Sequence, residues 1–178
     1  MIEKLVQGDF DKIFDFMEIS FPSDEYRNYE EQKALLDDPF YQLYVLKNSD
    51  NNSIKAFFAV WEFEDFAFIE HFAVNPEARN GGIGAKLLNK MIDFLGKAIC
   101  FEVEPPIDEL TTRRIDFYQR NGCFLNHYPY MQPSISKGKK AIPLLIMTSG
   151  KAITEDEYKR YKTVLYSAVY KCDTHGHL

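Results

Sequence analysis

Three glycines fall within four positions, Gly81, Gly82 and Gly84, in the run RNGGIG (79–84) just ahead of an amphipathic stretch. Glycines at a helix start leave backbone N–H groups bare at the positive end of the helix dipole. Such a run is a ready site for a phosphate or another anion. A side chain at Gly82 or Gly84 would obstruct a phosphate approaching the backbone, and Arg79 adds a cation at the rim. A kinase-like phosphate loop needs G-K-[ST], but Ala85-Lys86-Leu87 follows Gly84, so that reading fails. A dinucleotide fingerprint, G-x-G-x-x-G/A, meets Leu87 at its third site and fails there, although Glu102 lies 18 residues past Gly84. The pattern R-x-x-G-x-G is satisfied by Arg79, Gly82 and Gly84. A plain glycine-rich turn, with no ligand, also accounts for the glycines taken alone.

Other reactive side chains form no set. Cys100, Cys123 and Cys172 make no C-x-x-C pair, and His71, His127, His175 and His177 make no H-x-x-x-H pair, so no zinc or redox site is indicated. Cys100 lies in an apolar run and reads as core; His175 and His177 read as tail. No Ser/His/Asp or Cys/His arrangement suggests a covalent route.

The elements that must position the glycine run follow from periodicity. Met1–Val6 reads as a strand. Asp9 reads as the N-cap of a helix with Phe10, Ile13, Phe14 and Met17 on one face, stopped by Pro22. Tyr26–Leu36 can form an acidic helix, and Gln42–Leu46 a strand. Ile54–Phe63 and Phe66–Val74 read as long strands joined at Glu64-Asp65, with Asn75-Pro76 breaking the second. The helix after the glycines carries Ile83, Leu87, Leu88, Met91, Ile92 and Leu95 inward and ends at Gly96. Ala98–Val103 is a strand, and Asp108 caps a helix running to Arg120, with Gly122 behind it. Phe124–Met131 and Ile142–Thr148 are further strands. Thr154 and Glu157 open a last helix that turns Tyr158, Tyr161, Leu165, Ala168 and Val169 to the core. The alternation predicts an α/β protein with a mixed sheet and helices on both faces.

With 178 residues, 46% apolar and 27% charged, the chain fits one globular domain over 1–178; the 15 Phe and 11 Tyr supply bulk for a core. No apolar run approaches the ~20 residues of a membrane helix, and the first ten residues lack a signal-peptide core. A cytoplasmic protein with no membrane partner is expected. The net charge of −6 is uneven. Residues 1–70 hold 16 acidic and 6 basic side chains (−10), and residues 71–178 hold 11 and 15 (+4). So acidic a front half argues against nucleic acid as a partner.

Three segments together, FIEHFAVNPEARNGGIGAKLLNKMIDF, ICFEVE and RRIDFYQRNGCF, resemble the GNAT superfamily of acyl-CoA-dependent N-acetyltransferases. NPEARNGGIG (75–84) satisfies that family's P-x-x-R-x-x-G-x-G after a strand ending in Ala-Val, and a helix ending Y-x-x-x-G follows. The resemblance covers about residues 1–150 and leaves 151–178 as a helical extension. It implies the GNAT fold, a central mixed, mostly antiparallel sheet. It also implies that the backbone of Phe72, Ala73 and Val74 pairs with the pantetheine arm. The amides of Arg79, Asn80, Gly81, Gly82, Ile83, Gly84 and Ala85 would hold the pyrophosphate. Thr111 falls where relatives often place an Asn against the cofactor, and Tyr118 on a tyrosine near the thioester sulfur. Cys123 departs from the aromatic usual after the glycine, and Phe124 is expected to take its place.

The reaction so implied moves an acetyl group from acetyl-CoA, without a metal, to a primary amine of a small molecule or peptide. A non-catalytic acyl-CoA sensor of the same fold is the alternative, and a dinucleotide-dependent oxidoreductase a third reading. An alkylamine with a pKa near ~10.4 is only about 0.04% neutral at pH 7, so a base helps. Glu70, four residues before Val74 and sharing its side-chain parity, is the candidate; Glu102 and Glu104 stand behind it. Tyr118 is the candidate general acid for the departing thiolate, and the Val74 N–H for the oxyanion. Acidic Asp24, Glu25, Glu30, Glu31, Asp37 and Asp38 on the first two helices predict a cationic acceptor. Exposed sheet edges permit a homodimer.

Overall fold

The computed structural model describes residues 2–5, 7–78 and 82–172. They fall into two compact units, Met1–Phe101 and Glu102–Leu178. In the first, β1 (Ile2–Lys4), β2 (Tyr41–Lys47), β3 (Ile54–Glu62) and β4 (Phe66–Val74) lie side by side, antiparallel at each step. The start of β5 (Ala98–Val103) joins β4 in parallel. A parallel step requires a crossover, and α3 (Ile83–Leu95) supplies it. Six successive residues of β3, Ala56 to Trp61, are buried, the mark of a strand covered on both faces.

Two helices precede β2. In α1 (Phe10–Ser20), Phe10, Ile13, Phe14 and Met17 are buried, the four that the spacing predicts. Asp9 stands at its N-cap but makes no capping bond; its carboxylate meets Lys12 Nζ at 2.7 Å and Lys47 Nζ at 3.1 Å instead. The acidic helix expected over Tyr26–Leu36 is shorter: α2 covers Tyr29–Ala34, between single 3-10 turns at Ser23–Glu25 and Leu35–Asp37. Tyr26 is extended, with φ −136° and ψ 157°. The reason is tertiary. The Arg27 N–H donates to Gln32 Oε1 (3.2 Å), and fully buried Gln32 donates onward to the Tyr41 hydroxyl (2.8 Å).

In α3, Leu87, Leu88, Met91 and Leu95 are buried, and Ile83 and Ile92 are half-buried. Gly96 closes the helix at φ 62°, its N–H on the Ile92 carbonyl, a left-handed cap that favours glycine.

The second unit holds α4 (Glu109–Arg120), the antiparallel pair β6 (Cys123–Gln132) and β7 (Ile142–Ser149), and α5 (Glu155–Val164). Both predicted caps form as reciprocal boxes, Asp108 with Thr111 and Thr154 with Glu157. Phe124 does not replace the missing aromatic. β6 begins one residue earlier than expected, Cys123 takes the inward parity (3% exposed), and Phe124 points outward (42%). Past α5, Leu165–Val169 makes one π-helical turn, with the Tyr170 N–H on the Leu165 carbonyl at 3.0 Å. Tyr158, Tyr161, Leu165 and Val169 face the core as predicted, and Ala168 only partly. Among the described residues, seven strands, mostly antiparallel, and five α-helices give the mixed α/β class that the sequence predicts. Among the described residues no helix is long and apolar enough to cross a membrane.

Candidate active site

The site of the first unit grows from an irregularity in β4. Across β3 the partners are Phe58↔Phe72 and Ala59↔His71, then Val60↔Ile69, so Glu70 is the extra residue of a β-bulge. Bulges re-aim side chains, and here neighbours that a regular strand would send to opposite faces are both buried: the side chain of Glu70 is 2% exposed and that of His71 1%. The parallel register with β5 pairs Phe66–Ile69 with Ala98–Phe101. Glu70–Val74 continues beyond it, with Phe72 stacked on Phe58 at 4.2 Å, toward a 3-10 turn at Pro76–Ala78.

At the far side of that turn Gly82 is the N-cap of α3, with φ 70° and ψ 24°. Among the described residues, no atom lies within 4 Å of a Cβ built there. Ile83, Gly84 and Ala85 follow as the first turn of α3, part-exposed. An N-cap glycine followed by a part-exposed first turn suits an anionic group. Arg79, Asn80 and Gly81 lie outside the described residues, as do His175 and His177.

Glu70 is embedded in a cluster. Arg27 Nη1 donates to Glu70 Oε1 at 2.8 Å, both side chains nearly sealed from water, and the guanidinium lies 5.8 Å from the centre of the Trp61 ring. Among the described residues, the other carboxylate oxygen, Oε2, has no hydrogen-bond partner and faces His71 Nδ1, likewise unpartnered, at 3.6 Å. His71 Nε2 is 2.8 Å from the Glu25 carbonyl oxygen. A carbonyl only accepts, so Nε2 carries the proton. Burial outweighs the pull of Glu70 and Glu25 and holds the imidazole below its usual pKa, with Arg27 adding to the effect. The Phe21 ring closes over it edge-on at 4.8 Å.

In the second unit Tyr118 sits on α4, half-buried, and burial pushes its hydroxyl up to about 12. It therefore keeps its proton at neutral pH, as a general acid must. Thr111 is buried, and its hydroxyl donates to Asp108 Oδ1 at 2.8 Å within the capping box. Glu102 receives the Tyr130 hydroxyl at 2.5 Å and the Tyr170 hydroxyl at 2.7 Å, and Glu104 pairs with Arg114. Both reserve carboxylates are thus committed to structural partners. Cys100 is fully buried, as expected of a core residue.

Sequence reasoning passed over Arg27 and His71. Arg27 left a trace: it is the only basic residue between Lys12 and Lys33, in a strongly acidic stretch. His71 left only its place beside Glu70.

Comparisons with known proteins agree with this architecture. Residues 10–123 match the Acetyltransferase (GNAT) family. A GNAT-family protein of Bacteroides thetaiotaomicron shares 32% identity and superimposes with a TM-score of 0.86, over 97% of this chain and 99% of that one. YjbC of Bacillus subtilis (strain 168), named for acetyltransferase activity, is 42% identical over 62 residues, 33% of this chain and 31% of YjbC's own length. A GNAT superfamily phosphinothricin acetyltransferase of Sinorhizobium meliloti, solved with acetyl-CoA, shares the fold at a TM-score of 0.57 and 15% identity, over 87% of this chain and 93% of that one. An N-cap glycine behind a bulged strand, a family match over most of the chain and an end-to-end structural counterpart lead to one assignment: the chain belongs to the acetyltransferase (GNAT) family.

Proposed function

We propose that the protein transfers the acetyl group of acetyl-CoA to the amine nitrogen of a positively charged acceptor, a small molecule or a peptide, by direct attack. The observation that carries this reading is the course of β4 beyond its register with β5, ending in the turn that leads to Gly82. Extended backbone can hold the amide-bearing pantetheine arm as an added strand does, and the α3 N-terminus suits the pyrophosphate. Acetyl-CoA then acts as cosubstrate. The free amine attacks the thioester carbonyl, the C–S bond breaks, and Tyr118 gives its proton to the departing sulfur. Tyr118 regains a proton from the nitrogen as the amide forms. Glu70, paired with Arg27, is the candidate base that takes the proton of a cationic amine through a water relay.

The charge of −10 on residues 1–70 supports a cationic acceptor, because a negative field raises the local concentration of a cation and speeds its capture. Release of free CoA from acetyl-CoA, screened against polyamines, amino sugars, lysine peptides and neutral and anionic amines, tests the reading. Release that depends on a cationic amine supports it. Acetyl-CoA binding without acceptor-dependent release points to the sensor alternative.

A further inference from the structure

Two buried proton acceptors that face each other with no donor between them are costly, and among the described residues Glu70 Oε2 and His71 Nδ1 are such a pair. We infer that His71 is the proton-holding residue of the transfer reaction, taking one proton per turnover at Nδ1 and holding it against Glu70 Oε2. This rests on the acetyl-transfer reading given above.

The geometry leaves each atom one role. The Glu25 carbonyl fixes the first imidazole proton on Nε2, so a second proton can enter only at Nδ1. Arg27 occupies Oε1 of Glu70 and leaves Oε2 facing the ring, so a proton carried on Nδ1 would lie directly against a carboxylate oxygen. Among the described residues, the charged groups near the imidazole are Glu70 on β4 and Arg27 on the segment between α1 and α2; the Glu25 carbonyl accepts from Nε2, and the Phe21 ring packs edge-on against the imidazole. That segment and β4 are therefore tied together through the atoms that would handle the proton.

The protons balance. An ammonium acceptor enters with three N–H bonds and leaves as an amide with one. One proton ends on the CoA sulfur through Tyr118. The other passes along a water molecule that enters with the acceptor to His71 Nδ1, and returns to solvent before the next turnover. His71 is not placed against the substrate; it acts through that water and through Glu70.

The test combines a variant with a measurement on the unaltered protein. His71→Gln keeps an amide N–H for the Glu25 carbonyl but has no titratable nitrogen. Its kcat should fall ~10²-fold at neutral pH, and the acid limb of the kcat profile should disappear, with KM for acetyl-CoA within about twofold of wild type. A wild-type pH profile with kcat within about twofold would overturn the inference. Nitrogen NMR of the wild-type ring needs neither the variant nor turnover. The Nε2–H tautomer at neutral pH, with Nδ1 taking the proton on acidification, is expected. An Nδ1–H tautomer, or a ring that never takes up a second proton while the fold persists, overturns it. If no amine is acetylated, the functional reading fails, and the NMR result still decides whether Nδ1 can hold a proton.

Discussion

Arg27 Nη1 lies 2.8 Å from Glu70 Oε1, across 43 residues of sequence, with side-chain exposures of 6% and 2%. An ion pair this deeply buried does not rank as a large net stabiliser, because desolvation of both charges offsets their attraction. What it does is make each partner depend on the other. Arg27→Met would strand a buried carboxylate and should cost about 3–5 kcal/mol of stability by urea unfolding. Arg27→Met with Glu70→Gln should recover a large part of that loss. A single variant within about 1 kcal/mol of wild type would show that the pair is not closed in solution.

Gly82 has the positive φ that a side chain resists, and its Cβ position is open. Gly82→Val should cost about 1–2 kcal/mol of stability from the left-handed conformation alone. It should weaken acetyl-CoA binding about tenfold or more, since the new side chain stands where the phosphate must approach. Titration calorimetry separates the two effects. A folded variant with wild-type affinity would remove the α3 N-terminus from the cofactor site.

Burial depresses the pKa of His71 below its ordinary value of 6.5. The unfolded chain then binds more protons than the folded one as pH falls through 6.5, so acid erodes stability and stability rises with pH. Melting temperatures of wild type and His71→Gln, compared between about pH 5 and 7.5, should show a smaller acid loss in the variant. Parallel curves would mean that the imidazole is not held neutral by the fold.

The reach of the sequence differs with the distance of the partners. The Asp108 cap and the Thr154–Glu157 box were legible because donor and acceptor lie three residues apart, whereas the part that Thr111 takes in the first box was not read. The hydrophobic face of α1 was legible because its period is local. The start of α2 was not, because Arg27 is placed by Gln32 and Glu70 rather than by helix propensity. Side-chain parity grouped Glu70 with Phe72 and Val74, but counting could not see the bulge at Glu70 or its meeting with His71. Glu102 looked like a spare base, and a tyrosine 68 residues away claims it.

The acidic first part of the chain sets a further expectation. An exposed charge field weakens as salt shortens the Debye length. Between ~0.02 M and ~0.5 M salt, kcat/KM for the best acceptor should fall more than for a neutral analogue. A neutral or anionic amine as best acceptor, or no salt effect, would reduce the acidic residues to a solvated surface.

The central claim is catalysis of acyl transfer with Tyr118 as proton donor. Its most direct test is the rate of CoA thiol release from acetyl-CoA, with and without the best cationic amine, for wild type and Tyr118→Phe. A hydroxyl pushed up to about 12 stays protonated through neutral pH. The account therefore predicts amine-dependent release that drops ~10²–10⁴-fold in Tyr118→Phe, with acetyl-CoA affinity nearly unchanged. Release by Tyr118→Phe equal to wild type, or no amine-dependent release by a wild type that binds acetyl-CoA, would contradict it.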